Sequence, residues 1–168
     1  MKNSTEWSPR DIGEQVLRTA SRGPNGAAGI YGRSVAGAAL RWFAIFALGR
    51  GRRRLLLTAA HHANEWITAP LLMRFAGELA AGVWPGALDD TRVWFAPLVN
   101  PDGVSLVTGQ LASGALYENA RRIAEQFPAV PFPDGWKANV RGVDLNLQYP
   151  AGWEEAKEIK YAAGWDRP

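Results

Sequence analysis

Apolar and polar residues fall in blocks along this chain, and the period of the blocks changes from helical to strand-like and back. After Ser8-Pro9-Arg10-Asp11, the apolar residues Ile12, Val16 and Leu17 recur at helical spacing until Ser21-Arg22-Gly23-Pro24 breaks the pattern. Ser8 suits the cap, Pro9 the first helical position, and Asp11 is an acidic near-match to a capping box. Residues 28–31 form a short strand candidate. Two apolar runs, 40–48 and 55–60, have the length of buried strands. The Arg50-Gly51-Arg52-Arg53-Arg54 segment between them predicts a solvated hairpin turn joining adjacent strands.

A helix is expected over 65–81. Ile67, Leu71, Phe75 and Leu79 recur every four residues there and define one apolar face, and Pro70 falls early, where proline costs least. Residues 92–99 form another strand candidate, followed by turn chemistry at Asn100-Pro101-Asp102-Gly103. A helix is predicted over 116–127, a proline-rich loop over 128–136, a short strand or strand end over 142–146, and a last helix over 154–163. Alternating strands and helices imply α/β layering. No repeat or low-complexity segment interrupts it.

The chain has 168 residues, which suits one domain. Its 47% apolar content can build a core, and its 21% charged content argues against disorder. Cysteine is absent, so any metal must be held by His and carboxylates. The net charge of +3 comes largely from the 50–54 run, which lacks interleaved aromatics, so no nucleic-acid partner is expected. No stretch approaches the ~20 apolar residues of a membrane span, so no membrane partner is expected. Residues 1–7 carry no signal-peptide pattern, and a cytoplasmic location is the expectation by default.

Candidate chemistry gathers at 55–68. A hydrophobic strand ends at His61-His62, and Glu65 follows one turn later. Ligands collect at the carboxyl ends of strands in open α/β sheets. His-x-x-Glu sets an imidazole and a carboxylate on one side, a pair that suits Zn²⁺. His61 points to the opposite face if the strand continues, and is read as packing or hydrogen bonding.

His62-Ala63-Asn64-Glu65-Trp66-Ile67-Thr68 resembles the signature of the M14 zinc metallocarboxypeptidases. Three other segments agree in order: Gly32 to Gly37, Asn100 to Gly103, and Trp136-Lys137-Ala138-Asn139 through Gly142-Val143-Asp144-Leu145-Asn146. The resemblance covers about residues 30–153. It implies a three-layer α/β fold with a mixed sheet between helices. Residues 1–168 would then be the N-terminal part of a truncated metallocarboxypeptidase catalytic domain. Within the family, the chain is most similar to the bacterial γ-D-glutamyl-meso-diaminopimelate peptidases. That makes a peptide, and specifically a cell-wall peptide, the expected partner.

The resemblance also implies roles. His62 and Glu65 match zinc ligands, and Asp144 the carboxylate that hydrogen-bonds the ligand histidine. Asn146 matches a residue that holds the substrate carboxylate, and Asn64 stands where other members place a substrate-contacting arginine; a helix cap is its other reading. Leu147 replaces the family's carboxylate-binding arginine, which sets aside ordinary C-terminal recognition. Lys137 or Arg141 replaces the cation that polarises the scissile carbonyl. The family's third ligand is a distant histidine, and this chain has only His61 and His62. The general-base glutamate also falls beyond the matched segments. The expectation is therefore an incomplete, inactive zinc peptidase; the alternative is a catalytically dead remnant that binds peptide or glycan.

Overall fold

The computed structural model describes residues 8–30, 32–36 and 44–164. Tyr31, Gly37 and the start of the 40–48 run lie outside them. Helix α1, Pro9–Arg22, opens on the expected capping box: Asp11 N–H donates to Ser8 Oγ at 3.0 Å, and Ser8 N–H donates to Asp11 Oδ2 at 2.9 Å. Ile12, Val16 and Ala20 turn inward, while Leu17 faces solvent.

Among the described residues four strands follow: β1 (Ala27–Ile30), β2 (Ala44–Leu48), β3 (Arg53–Thr58) and, after helix α2 (Thr68–Ala80), β4 (Thr91–Ala96). Their order is β1-β2-β4-β3, with β1–β2 and β2–β4 antiparallel and β3–β4 parallel. The sheet is thus mixed and flanked by helices. The parallel pair is a βαβ unit with α2 as its crossover. Phe46, Leu48, Val93 and Phe95 bury one sheet face against α1 and α2. Phe46 stacks on Phe95 with centroids 4.7 Å apart.

This order corrects one expectation. β2 and β3 are not adjacent, because β4 lies between them. The arginine segment is solvated, but it is a crossing rather than a hairpin. Gly51 passes so close to the start of β4 that a Cβ there would sit 1.7–2.1 Å from Asp90 and Thr91 backbone atoms. Arg53 belongs to β3 and pairs with Asp90 at 3.0 Å on the surface. β3 is also far more open than its sequence suggests: Leu55 and Leu56 are exposed, and its outer edge has no partner strand among the described residues.

Helix α2 corrects a second expectation. It packs through Ala69, Pro70, Met73, Ala76 and Leu79, whereas Ile67, Leu71 and Phe75 are exposed. The helix is apolar nearly all round, so periodicity offers two stripes, and the smaller side chains approach the sheet more closely. Two local forms also differ. Asn100-Pro101-Asp102-Gly103 opens helix α3 (Pro101–Val107), and residues 142–146 form a turn leading into a 3₁₀ turn, Leu145–Leu147, with no strand. Helices α4 (Ala115–Ala124) and α5 (Trp153–Ala162) agree with expectation to within a few residues. Among the described residues no helix is long and apolar enough to cross a membrane.

These burial patterns separate two substitutions. Phe46→Ala is expected to cost about 3–5 kcal/mol in urea unfolding, as for other buried aromatics. Leu71→Ser is expected to change stability by no more than about 0.5 kcal/mol.

Candidate metal centre

The centre is built where β3 runs out. Beyond Thr58 the pairing with the β4 side continues through irregular backbone: Ala59 N–H donates to Ala96 O, Val99 N–H to Ala59 O and Asn100 N–H to Ala60 O, at 3.0–3.1 Å. Ala60 then takes a left-handed conformation, φ 52°, uncommon outside glycine, and turns the chain sharply. Thr68 fixes that turn. Its Oγ1 accepts the Ala60 N–H at 2.9 Å and donates to Glu65 O at 2.7 Å. Between these residues lies a single 3₁₀ turn, Ala63–Glu65, opened by His62.

Asn100 holds this turn against the rest of the molecule. Its buried carboxamide donates to His61 O at 3.1 Å and Ala138 O at 3.0 Å, and accepts the Gly103 N–H at 3.1 Å. Ala63 N–H also donates to Lys137 O at 2.9 Å. The 136–138 segment is therefore drawn beside the His62 turn. Gly103 is required by this packing: a Cβ there would lie 2.6–2.8 Å from the Asn100 carboxamide atoms and Ala138 O.

His62 Nδ1 and Glu65 Oε1 stand 3.0 Å apart. Two atoms bound to one tetrahedral zinc at ~2.0–2.1 Å lie roughly 3.4 Å apart, so this pair needs to open by only a few tenths of an ångström. On the other side of the ring, Nε2 is 3.3 Å from Asp144 Oδ1. The approach is off-line, and the buried Nε2 makes no aligned hydrogen bond. The short distance therefore counts as proximity, one small ring rotation away from a bond. Asp144 is anchored independently. Lys160 Nζ donates to Oδ2 at 3.1 Å, and Asn146 N–H donates to Oδ1 at 3.0 Å. Burial raises the Asp144 pKa, but the Lys160 hydrogen bond and charge, then His62 and the Asn146 N–H, outweigh it and hold the carboxyl below its ordinary range.

His61 Nε2 lies 2.6 Å from the Tyr149 hydroxyl. Its pKa is lowered by burial and by the neighbouring His62, against opposing pulls from Glu65 and Asp144. The donor set thus fits zinc as one imidazole and one carboxylate. Among the described residues no group of three or more His, Cys, Asp or Glu side chains is placed to hold an ion.

The remaining candidates divide. Lys137 is beside the centre through its backbone. Arg141 is exposed and lines a cavity with Asp144 and Leu147, so Leu147 belongs to a cavity wall. The Asn146 side chain is exposed. Asn64 is exposed and caps neither the 3₁₀ turn nor α2, which removes the helix-cap reading. Asn100 and Thr68 are legible in the sequence only as members of motifs, with no role of their own, and Tyr149 and Lys160 not as site residues at all. A cap residue followed by proline at 100–101 was the available signal for the first; the others act across distances that spacing does not encode.

The zinc carboxypeptidase (Peptidase_M14) family profile matches residues 17–164. A Lysinibacillus sphaericus gamma-D-glutamyl-L-diamino acid endopeptidase 1 is 39% identical over 117 residues, covering 64% of this chain and 29% of that protein. Among solved structures, a Burkholderia cenocepacia metallo-carboxypeptidase superposes with TM-score 0.52 at 18% identity, covering 90% of this chain and 37% of its own. Carboxypeptidase A from Helicoverpa armigera gives 0.54 at 17% identity, covering 79% of this chain and 28% of its own. The chain therefore belongs to the zinc carboxypeptidase family, M14. It spans roughly a third of the length of these relatives.

Two predictions follow from this geometry. Asn100→Leu leaves two carbonyls and one N–H without partners, so chemical denaturation should show a loss of about 3 kcal/mol or more. Asp144 has a depressed folded-state pKa, so its contribution to stability is present above the unfolded value and is lost as pH falls through the folded value. Lys160→Met should raise the Asp144 pKa in a carbon-detected NMR titration and move that loss of stability to higher pH. An unmoved titration would show that Lys160 does not set it.

Proposed function

We propose that this chain contributes one part of a zinc peptidase centre that acts on cell-wall peptides at γ-D-glutamyl bonds. The observation that carries the reading is the His62 Nδ1–Glu65 Oε1 pair at 3.0 Å, with Asp144 behind the same ring. The substrate class is supported by the 39% identity to a gamma-D-glutamyl-L-diamino acid endopeptidase.

In this reading His62 and Glu65 hold the ion. When bound, zinc supplies Lewis acidity toward a water and the scissile carbonyl. Asp144 keeps the His62 proton on Nε2, which leaves Nδ1 free to ligate, and Lys160 keeps Asp144 charged. Asn146 and Asn64 are exposed beside the centre and are available to bind the peptide. A cation from Lys137 or Arg141 stabilises charge developing on the carbonyl oxygen. Leu147 offers neither charge nor a hydrogen bond, which disfavours a substrate held as an ordinary C-terminal residue. The third ligand and the general base lie outside this set of residues, so the chain by itself binds zinc weakly and does not turn over.

Calorimetric titration with zinc tests the ligand assignment. Binding should be lost in His62→Ala and Glu65→Gln, and should weaken by about 10–100-fold in Asp144→Asn. Zinc affinity unchanged in all three variants would remove the proposed centre. Hydrolysis of a γ-D-glutamyl peptide by the chain with one equivalent of zinc would instead show that the centre is complete.

A further inference from the structure

Strand β3 ends the sheet on an open edge, and its backbone directions fix what that edge offers. Arg53 N–H donates to Asp90 O at 3.0 Å, and Ala59 N–H donates to Ala96 O at 3.1 Å. The register with β4 runs unbroken from Arg53 to Thr58, without a bulge. Backbone groups alternate sides along a strand. Odd-numbered residues therefore face β4, while Arg54, Leu56 and Thr58 turn their N–H and C=O groups to the free edge. No strand pairs with them among the described residues. Their side chains are exposed, as is that of Leu55. Sheet edges are commonly blunted by proline, a bulge or charge. Here charge stands only at the first two positions, Arg53 and Arg54, and the run Leu55-Leu56-Leu57 carries none of these devices.

This edge is self-complementary in one orientation. Parallel pairing in register would set Arg53 and Arg54 beside their own copies, and like charges directly opposite are destabilising. Antiparallel pairing about a two-fold at Leu56 sets Arg54 opposite Thr58 of a second copy, Leu56 opposite Leu56, and Leu55 opposite Leu57. It is the antiparallel register that uses the free backbone groups of Arg54, Leu56 and Thr58 on both copies, and each such pair exchanges two hydrogen bonds. The two Arg54 side chains then stand ~14 Å apart along the strands, beyond the ~10 Å screening length of 0.1 M salt. Arg53 already pairs with Asp90.

The helix layer fits the same symmetry. The two-fold of an antiparallel pair is perpendicular to the sheet, so α2 and its copy lie on one face of a continuous sheet. Gly77 and Ala80 of α2 line a cleft with Gln15 and Thr19 of α1. Leu71 and Phe75 lie roughly 120–180° round the helix from them, on the flank away from α1. α1 packs over β1 and β2, so that flank is the one above the β3 edge. Both residues are exposed there. With strands ~4.8 Å apart and α2 seated over the β3–β4 pair it connects, the two α2 axes come roughly 10 Å apart, the spacing of packed helices. The apolar stripe that the fold leaves uncovered then meets its own copy.

We propose that a second copy of this chain occupies the β3 edge, giving a two-fold dimer with one continuous sheet and with the Leu71–Phe75 flanks of α2 packed together. The same patch is used on both copies, so association stops at two. The interface involves about ten residues a side, below the ~20–30 of a standard interface, so the dimer dissociates in the micromolar range. It requires neither zinc nor peptide and does not rest on the peptidase reading.

Sedimentation equilibrium of the whole chain in EDTA, across the micromolar range, reads the association state, and amide hydrogen exchange reads the edge. A monomer–dimer equilibrium is expected. The Arg54, Leu56 and Thr58 amides should exchange freely in the monomer and become protected as the dimer forms. Leu56→Lys places two ammonium groups at the two-fold and should weaken the dimer at least tenfold, with the dilute monomer folded as before because Leu56 is exposed. Leu71→Ser should also weaken the dimer without changing the stability of the monomer. Ile30→Lys, on the opposite edge strand β1, should leave it unchanged. A chain that stays monomeric throughout would leave the edge to a strand of different sequence and overturn the proposal. So would association beyond two copies, a dimer indifferent to Leu56→Lys, or a dimer in which the Arg54, Leu56 and Thr58 amides still exchange freely.

Discussion

The buried carboxamide of Asn100 is the constraint from which the rest of the site follows. One side chain donates to the carbonyls of His61 and Ala138 and accepts the N–H of Gly103, so it ties the end of β3, the start of α3 and the 136–138 segment together. Each of those groups would otherwise be a buried polar atom without water, at a cost of about 1–3 kcal/mol. A hydrophobic residue of the same size fills the space but satisfies none of them. The close fit also explains why position 103 must be glycine.

With that anchor set, the chemistry is positioned by short-range geometry. The left-handed Ala60 turns the chain off the strand, and Thr68 bridges its N–H to the Glu65 carbonyl. Successive histidines then take different partners, His61 the Tyr149 hydroxyl and His62 the Glu65 and Asp144 carboxylates. α5 supplies the counter-charge, because Lys160 reaches Asp144. His62 thus stands 3.3 Å from a carboxylate that is itself held by a lysine of α5. Supporting groups of this kind fix ring tautomer and ligand basicity.

Much of this was legible in the sequence wherever the information is local. The Ser8–Asp11 capping box, the strand ending at the histidines and the pairing of His62 with Glu65 all depend on residues a few positions apart. The family motif placed Asp144 beside His62 across the chain. What spacing could not provide was the choice between equal alternatives. α2 has two apolar stripes, and only packing selects the one with smaller side chains. β2 and β3 read as neighbours because they are consecutive, but a parallel crossover places β4 between them. Asn100 read as a turn residue because its partners lie 3, 38 and 39 positions away, and turn chemistry and helix capping use the same side chains.

The proposed centre draws two donors from this chain, the His62 imidazole and the Glu65 carboxylate, with His61 outside it. Zinc-edge X-ray absorption of the chain with one equivalent of zinc measures this directly. The expected spectrum shows a single imidazole bound to zinc, the remaining ligands being oxygen, and is unchanged when His61 is replaced by phenylalanine. Two imidazoles per zinc, with one lost in His61→Phe, would contradict it.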